Sequence, residues 1–346
     1  MFSGLPFSYM FLSVMGTGTL LSISSIHWLS IWAGLEINLI GFLPLLVYQK
    51  STSESESAVK YFIVQALGSS FLIFGSLIAF TLSFTWDLYL LSPYSSFGLA
   101  ILGAGLMIKL GLFPFHYWLP SVMAGLPWFS CLLLATWQKL APLFLLLCYF
   151  ESMESYNMVL MFCIISAGSS LMGGFGGLNQ TQIRALLAYS SIGHLGWMVF
   201  AALHSEWVMK TYLFVYIAIS ISIFLSLWMS DSGMMSNISN LKTCALVQMS
   251  IMMLLLSLGG LPPLLGFIPK LLVIMTSSVG PWIGIVIFLI MGSLMSLFYY
   301  LSLFFSFFLA FAKKHSLAIT NSNMVTMVII NILNIFGGMM VVFISY

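Results

Sequence analysis

The sequence predicts an all-α polytopic membrane protein of about 11 transmembrane helices, arranged as inverted five-helix repeats with two broken helices. Three observations carry this prediction. Hydrophobic residues fill 61% and charged residues 5% of the 346 positions, with a mean hydropathy of +1.11, and no soluble domain of this length has such a balance. The apolar runs are about 20 residues long, enough for a helix to cross a hydrocarbon core, and lack the strict alternation of a barrel strand. A Gly/Pro-interrupted segment occurs twice, at residues 111–120 and 260–269.

Apolar runs place the spans at about 5–24, 27–48, 58–82, 96–112, 122–147, 156–176, 182–204, 208–230, 244–274, 280–311 and 324–344. The first, in MFSGLPFSYMFLSVMG, has no basic leader and reads as a span rather than a cleavable signal. The second carries Glu36 at its centre, and the fourth carries Lys109 just before a Gly/Pro break. Lys139 occupies the middle of the fifth, and His194 lies in the seventh beside Tyr189, Ser190 and Ser191. The ninth holds the second break, followed directly by Lys270. The repeat units are then about 1–150 and 155–312, with a final helix at about 324–344, all in one transmembrane domain.

Loop charges test this count, because a wrong count would scatter the basic residues over both sides. Lys50, Lys60, Arg184, Lys242, Lys313 and Lys314 fall on one side, and Lys210 falls opposite. Lys and Arg mark the cytoplasm-like or matrix-like side, which places the N-terminus there and the C-terminus across the membrane. Asp87, Glu151, Glu154 and Glu206 lie on the far side, where acids carry little topological weight. His27, His204 and His315 lie near span ends and need no special role.

The two interrupted segments read GLFPFHYWLP and GLPPLLGFIP, so that Gly111, Leu112, Pro114 and Pro120 coincide with Gly260, Leu261, Pro263 and Pro269. Proline removes a backbone donor and clashes with the preceding turn, so each segment breaks its helix. One copy lies in the fourth span and the other in the ninth, an odd offset that makes the copies enter from opposite membrane faces. Paired breaks of this kind point to a transport pathway. Chance is the competing explanation, since Gly and Pro are common in membrane helices.

A charge at mid-membrane costs about 2.5–3.5 kcal/mol on insertion scales, so intramembrane ionisable residues mark functional sites by default. Glu36, Lys109, Lys139 and Lys270 form the candidate proton relay, because a carboxylate beside a buried ammonium holds the proton there and its withdrawal favours release. The bland alternative, a structural ion pair between Glu36 and one lysine, leaves two lysines without an acidic partner in this chain. His116 and His194 are candidates to extend the relay, although a lone membrane histidine is as often a packing residue. Cys131, Cys148, Cys163 and Cys244 form no CxxC or cluster and read as small buried hydrophobes. No dinucleotide fingerprint, P-loop or HExxH occurs, so any redox chemistry belongs to partners, and no metal or nucleic-acid site is expected.

Six segments, WAGLEINLIGFLPLL, KYFIVQALGS, IKLGLFPFHYWLP, WQKLAPL, LNQTQIRALLAYSSIGHLGWM and LSLGGLPPLLGFIPK, together resemble the chain 2 family of mitochondrial NADH:ubiquinone oxidoreductase, respiratory complex I. The resemblance runs over nearly the whole chain and is specific. It implies an antiporter-like subunit of the membrane arm, shortened as in animals by three helices relative to bacterial relatives. It also implies that Glu36 and Lys109 act as a coupled pair, that Lys139 passes the proton laterally, and that Lys270 is the ionisable residue of the second broken helix. NADH, FMN, iron-sulfur clusters and ubiquinone then belong to other subunits. The implied partners are the neighbouring membrane-arm subunits and the lipids of the mitochondrial inner membrane, with the N-terminus on the matrix side. Ser121, where the family commonly has an acid, and Ala185, where it commonly has lysine, depart from the pattern. The alternatives are a free-standing cation/proton antiporter and a purely structural membrane-arm subunit.

Overall fold

The computed structural model describes residues 7–48, 51–87, 96–151, 155–230, 245–262, 264–278, 280–313, 331–332 and 334–338. Lys50, Glu154, Asp231, Lys242, Cys244, Pro263, Lys314, His315 and most of the expected final span lie outside the described residues. Among the described residues every extended element is a helix, and the one β-type contact is an isolated bridge between His27 and Asp87. Seven helical stretches among them are long and apolar enough to cross a membrane. Contacts divide the chain into two compact units, Met1–Ile165 and Ser166–Tyr346.

The first unit contains α1 (Ser8–Ser24), α2 (Trp28–Leu46), α3 (Thr52–Ser83), α4 (Ser96–Leu110), α5 (Trp118–Gly125), α6 (Trp128–Ala135) and α7 (Trp137–Glu151). Ser51 caps α3 by accepting the Glu54 N–H at 3.2 Å, which satisfies one of the donors orphaned at a helix start. α1 packs on α2, α3 on α4, and α3 also meets α2 and α5. Lipid removes the hydrophobic drive between helices, so small residues that let backbones touch choose the neighbours. A Cβ on Gly34 would lie 2.6 Å from the Ser22 nitrogen across α1, and one on Gly75 would lie 2.8 Å from the Leu102 nitrogen across α4.

The fifth expected span is less regular than a single helix. Its helix is interrupted at Thr136, whose hydroxyl donates to the Leu132 carbonyl at 2.7 Å, and resumes as α7. Pro142 inside α7 removes the donor that would ordinarily close on the Gln138 carbonyl.

Helix α8 (Tyr156–Gly177) contains the boundary between the units. The second unit continues with α9 (Ile183–His204), α10 (Glu206–Ser230), α11 (Ala245–Gly259), α12 (Phe267–Ser277) and α13 (Ile283–Lys313). α9 contacts α10, α12 and α13. The burial of 78% of its spanning stretch makes it the core helix of this unit.

Both Gly/Pro segments break their helices, and at matching positions. α4 ends at Leu110 and α5 starts at Trp118, while α11 ends at Gly259 and α12 starts at Phe267. Gly111 has φ +74° and Gly260 has φ +81°, a left-handed conformation that costs glycine nothing and other residues about 1 kcal/mol or more. In the first break the Leu112 N–H reaches the Met107 carbonyl at 3.1 Å and the Gly111 N–H reaches Ile108 at 3.2 Å. In the second, Leu261 reaches Leu256 at 3.4 Å and Gly260 reaches Ser257 at 3.0 Å. Both are Schellman closures, which satisfy carbonyls that the end of a helix otherwise leaves without partners.

Candidate functional site

In the first unit the break positions a buried charge. Lys109 is the penultimate residue of α4, and its ammonium lies 3.6 Å from Glu36 Oε1 of α2. The Lys109 side chain is 4% exposed and that of Glu36 25%, so the pair is largely withdrawn from solvent. Glu36 Oε1 is a buried atom without a hydrogen-bond partner at normal distance, which leaves the Lys109 ammonium as its nearest compensation. Two side chains finish the end of α4: Trp118 Nε1 donates to the Ile108 carbonyl at 3.2 Å, and Gln65 Nε2 donates to the Lys109 carbonyl at 3.3 Å. Lys109 is thereby fixed at its backbone, while its ammonium is held by one carboxylate.

A narrow cleft opens beside this pair, and both Lys109 and Lys139 line it. Lys139, on α7, is buried. The remaining polar wall comes from Asn38, Tyr61, Gln65 and Gln138. None of these four stood out in the sequence. An uncharged polar residue in a membrane helix carries little signal alone, and the available hint was spacing: Tyr61 and Gln65 stand one turn apart on α3, and Gln138 adjoins Lys139. A polar cleft with several donors and acceptors is the kind of space that holds water.

His116 lies in the turn of the first break and does not line this cleft. Its Nδ1 is 3.1 Å from the Pro114 carbonyl, its ring stacks near Tyr117 at 4.1 Å, and Nε2 is buried without a hydrogen-bond partner.

In the second unit, Lys270 occupies the first turn of α12 and donates to the Gly259 carbonyl at 2.9 Å. Its ammonium thus lies at the C-terminal end of α11, where the helix dipole is negative. Gly260 makes room for it, since a Cβ there would lie 2.9 Å from the Lys270 ammonium. Lys270 and His194 line a common narrow cleft, together with Ser190, Ser293 and Ser296. His194 Nδ1 is 2.9 Å from the Tyr212 hydroxyl, and its ring is 5.3 Å from that of Tyr216. Tyr212 and Tyr216, one turn apart on α10, are a further pair that the sequence did not single out.

The structure therefore places Lys109 and Lys139 on one cleft, with Glu36 paired to Lys109 beside it, and, separately, Lys270 and His194 on another. Cys131 and Cys163 are buried and Cys148 is half-buried. No group of His, Cys, Asp and Glu able to hold a metal ion occurs among the described residues.

Residues 25–296 match the family described as NADH:quinone oxidoreductase/Mrp antiporter, transmembrane. The NADH-ubiquinone oxidoreductase chain 2 of Anopheles gambiae is 42% identical over 315 residues, which cover 90% of this chain and 89% of that one. That of Lemur catta is 38% identical over 290 residues, covering 84% and 82%. Among solved structures, a chain of respiratory complex I from Thermus thermophilus with bound aureothin aligns with a TM-score of 0.84 at 26% identity, over 96% of this chain and 78% of that one. A chain of the archaeal membrane-bound sulfane sulfur reductase aligns with a TM-score of 0.82 at 19% identity, over 96% and 72%, a likeness of fold alone.

Proposed function

This chain belongs to the NADH:quinone oxidoreductase/Mrp antiporter transmembrane family, and from that membership we propose that it is a core membrane-arm subunit of respiratory complex I, providing a path for protons coupled to electron transfer from NADH to ubiquinone. The observation that carries the chemistry is the buried Glu36–Lys109 pair at the first helix break, beside a cleft that Lys139 also lines. With Glu36 close, the ammonium of Lys109 is stabilised. When Glu36 draws away, the uncompensated charge favours release of a proton into the cleft toward a neutral Lys139. Lys270 and His194, with Tyr212 bonded to the histidine, supply the same kinds of group in the second unit.

The matching Schellman closures, the identical spacing of the two breaks and their shared motif support an inverted repeat within about 11 spans. Lys60 and Arg184 lie on the side that the loop charges assign to the matrix, in keeping with a multi-pass protein of the mitochondrial inner membrane. Its partners are then the adjacent membrane-arm subunits and inner-membrane lipids. NADH, FMN, iron-sulfur clusters and ubiquinone are held elsewhere in the complex. A free-standing antiporter is the weaker reading, because the relatives matched over most of their length are named as chain 2 of a larger oxidoreductase. The test is proton pumping and quinone reduction, measured together, in assembled complex carrying Lys109→Met. Loss of pumping with assembly intact supports the relay, and wild-type values of both rates refute it.

A further inference from the structure

Asn38 and Gln138 lie 100 positions apart in the chain, bond to each other, and line the same cleft as Lys109 and Lys139. Asn38 Nδ2 donates to Gln138 Oε1 at 2.9 Å, and Gln138 Nε2 donates back to Asn38 Oδ1 at 3.1 Å. The Tyr61 hydroxyl approaches the same Gln138 oxygen at 3.5 Å, the outer limit of a hydrogen bond, and so faces its second lone pair, placed to tighten when the Asn38 donor leaves. We infer that this reciprocal carboxamide pair, with Tyr61 as its alternate donor, is a latch that sets whether the cleft connects Lys109 to Lys139. The inference rests on the relay reading above and adds positioning residues to it.

The placement of the pair gives it this role. Asn38 follows Glu36 by two residues on α2, and Gln138 immediately precedes Lys139 on α7. A movement of α2 that withdraws Glu36 from Lys109 therefore also pulls on Asn38, and the strain passes to the residue beside Lys139. α7 is able to yield there, because the helix is interrupted at Thr136 and Pro142 deprives the Gln138 carbonyl of its usual donor. Tyr61 is held by its neighbours, with its ring 5.4 Å from Phe42 and 5.8 Å from Trp118. When the amides part, the tyrosine hydroxyl takes the Gln138 oxygen and the Asn38 amide is left to bind water.

Chemistry restricts what the pair itself does. A carboxamide has two N–H donors and an oxygen with two lone pairs, so in the closed latch each partner keeps one donor for water and Asn38 also keeps one acceptor, while the second lone pair of Gln138 Oε1 faces Tyr61. Neither amide carries the proton. In the step, one proton leaves the Lys109 ammonium, passes along water in the cleft and ends on the Lys139 amine, so that Lys109 becomes neutral, Lys139 becomes charged and the amides are unchanged. The ionisable groups around the latch are Glu36, Lys109, Lys139 and Tyr61.

The test is made in assembled complex in sealed vesicles. Gln138→Leu and Asn38→Leu each remove one half of the latch, and the exchange Asn38→Gln with Gln138→Asn restores it with the summed side-chain length unchanged. Each leucine variant is expected to lower the pumping rate about fivefold or more, since a buried carboxamide is left without its partner. Each should also raise the solvent deuterium isotope effect on coupled turnover, a change that a purely structural contact would not produce. The exchange is expected to recover at least half the wild-type rate. Wild-type pumping and isotope effect in the leucine variants, alongside failure of Lys109→Met, would overturn the latch and spare the relay, whereas normal pumping by Lys109→Met would remove both. If the leucine variants do not assemble, the isosteric Gln138→Glu decides. It replaces the donating amide with a carboxylate between the lysines, and wild-type pumping by that variant overturns the inference.

Discussion

Replacing Lys109 with methionine keeps most of the side-chain volume, shortens the chain by one heavy atom and deletes one charge. The lysine side chain is 4% exposed, and its ammonium is 3.6 Å from Glu36 Oε1. At an effective dielectric constant of about 20, two unit charges at that separation attract by about 4–5 kcal/mol before desolvation is subtracted. Measured losses on removing one partner of a buried pair are about 3–5 kcal/mol, because the survivor is left uncompensated. If even about 3 kcal/mol of this interaction distinguishes the proton-holding state from the proton-releasing state, the relay step slows by more than about a hundredfold. The assay follows acidification by a pH-sensitive dye and quinone reduction by absorbance in the same vesicles. Part of the cost falls on the fold, since Glu36 loses its counterion. Adding Glu36→Gln removes that stranded carboxylate, so the double variant is expected to assemble better than Lys109→Met and still fail to pump. Normal pumping by either assembled variant would refute the reasoning.

Other predictions follow from the same geometry. Gly260→Ala introduces a β-carbon 2.9 Å from the Lys270 ammonium in a left-handed turn, so the melting temperature of the complex should fall by the equivalent of about 1–3 kcal/mol and pumping should drop with it. Gly111→Ala, whose β-carbon would meet Leu119 at 3.1 Å, should cost about 1–2 kcal/mol in the same melting experiment. Tyr212→Phe removes the 2.9 Å contact to His194, and a loss of about 1–3 kcal/mol in stability is expected, with slower pumping if His194 belongs to the path. Asp87→Asn weakens the 2.7 Å His27–Asp87 contact, in which His27 is 64% exposed, so it should change stability by less than about 1 kcal/mol and leave pumping unaltered.

Composition and span length fixed the membrane class without any contact information, because a chain this apolar has no other solvent in which to fold. The two helix breaks were legible for an equally local reason. Gly and Pro act on their own turn, so the motif alone located both interruptions, and both Schellman closures lie where it placed them. Glu36, Lys109, Lys139 and Lys270 were conspicuous through the cost of placing a charge in hydrocarbon. The residues alone left open which lysine meets Glu36, and only the family resemblance singled out Lys109. A spanning helix is apolar on every face, so the 3.6-residue pattern that points a soluble helix toward its core is missing, and neighbours are chosen by close fits such as Gly34 against Ser22 and Gly75 against Leu102. Those fits, formed only in the folded chain, brought Lys109 to Glu36, Asn38 to Gln138 and Tyr212 to His194. The sequence by itself determined which groups are too costly to bury without purpose, and tertiary packing decided which of them meet.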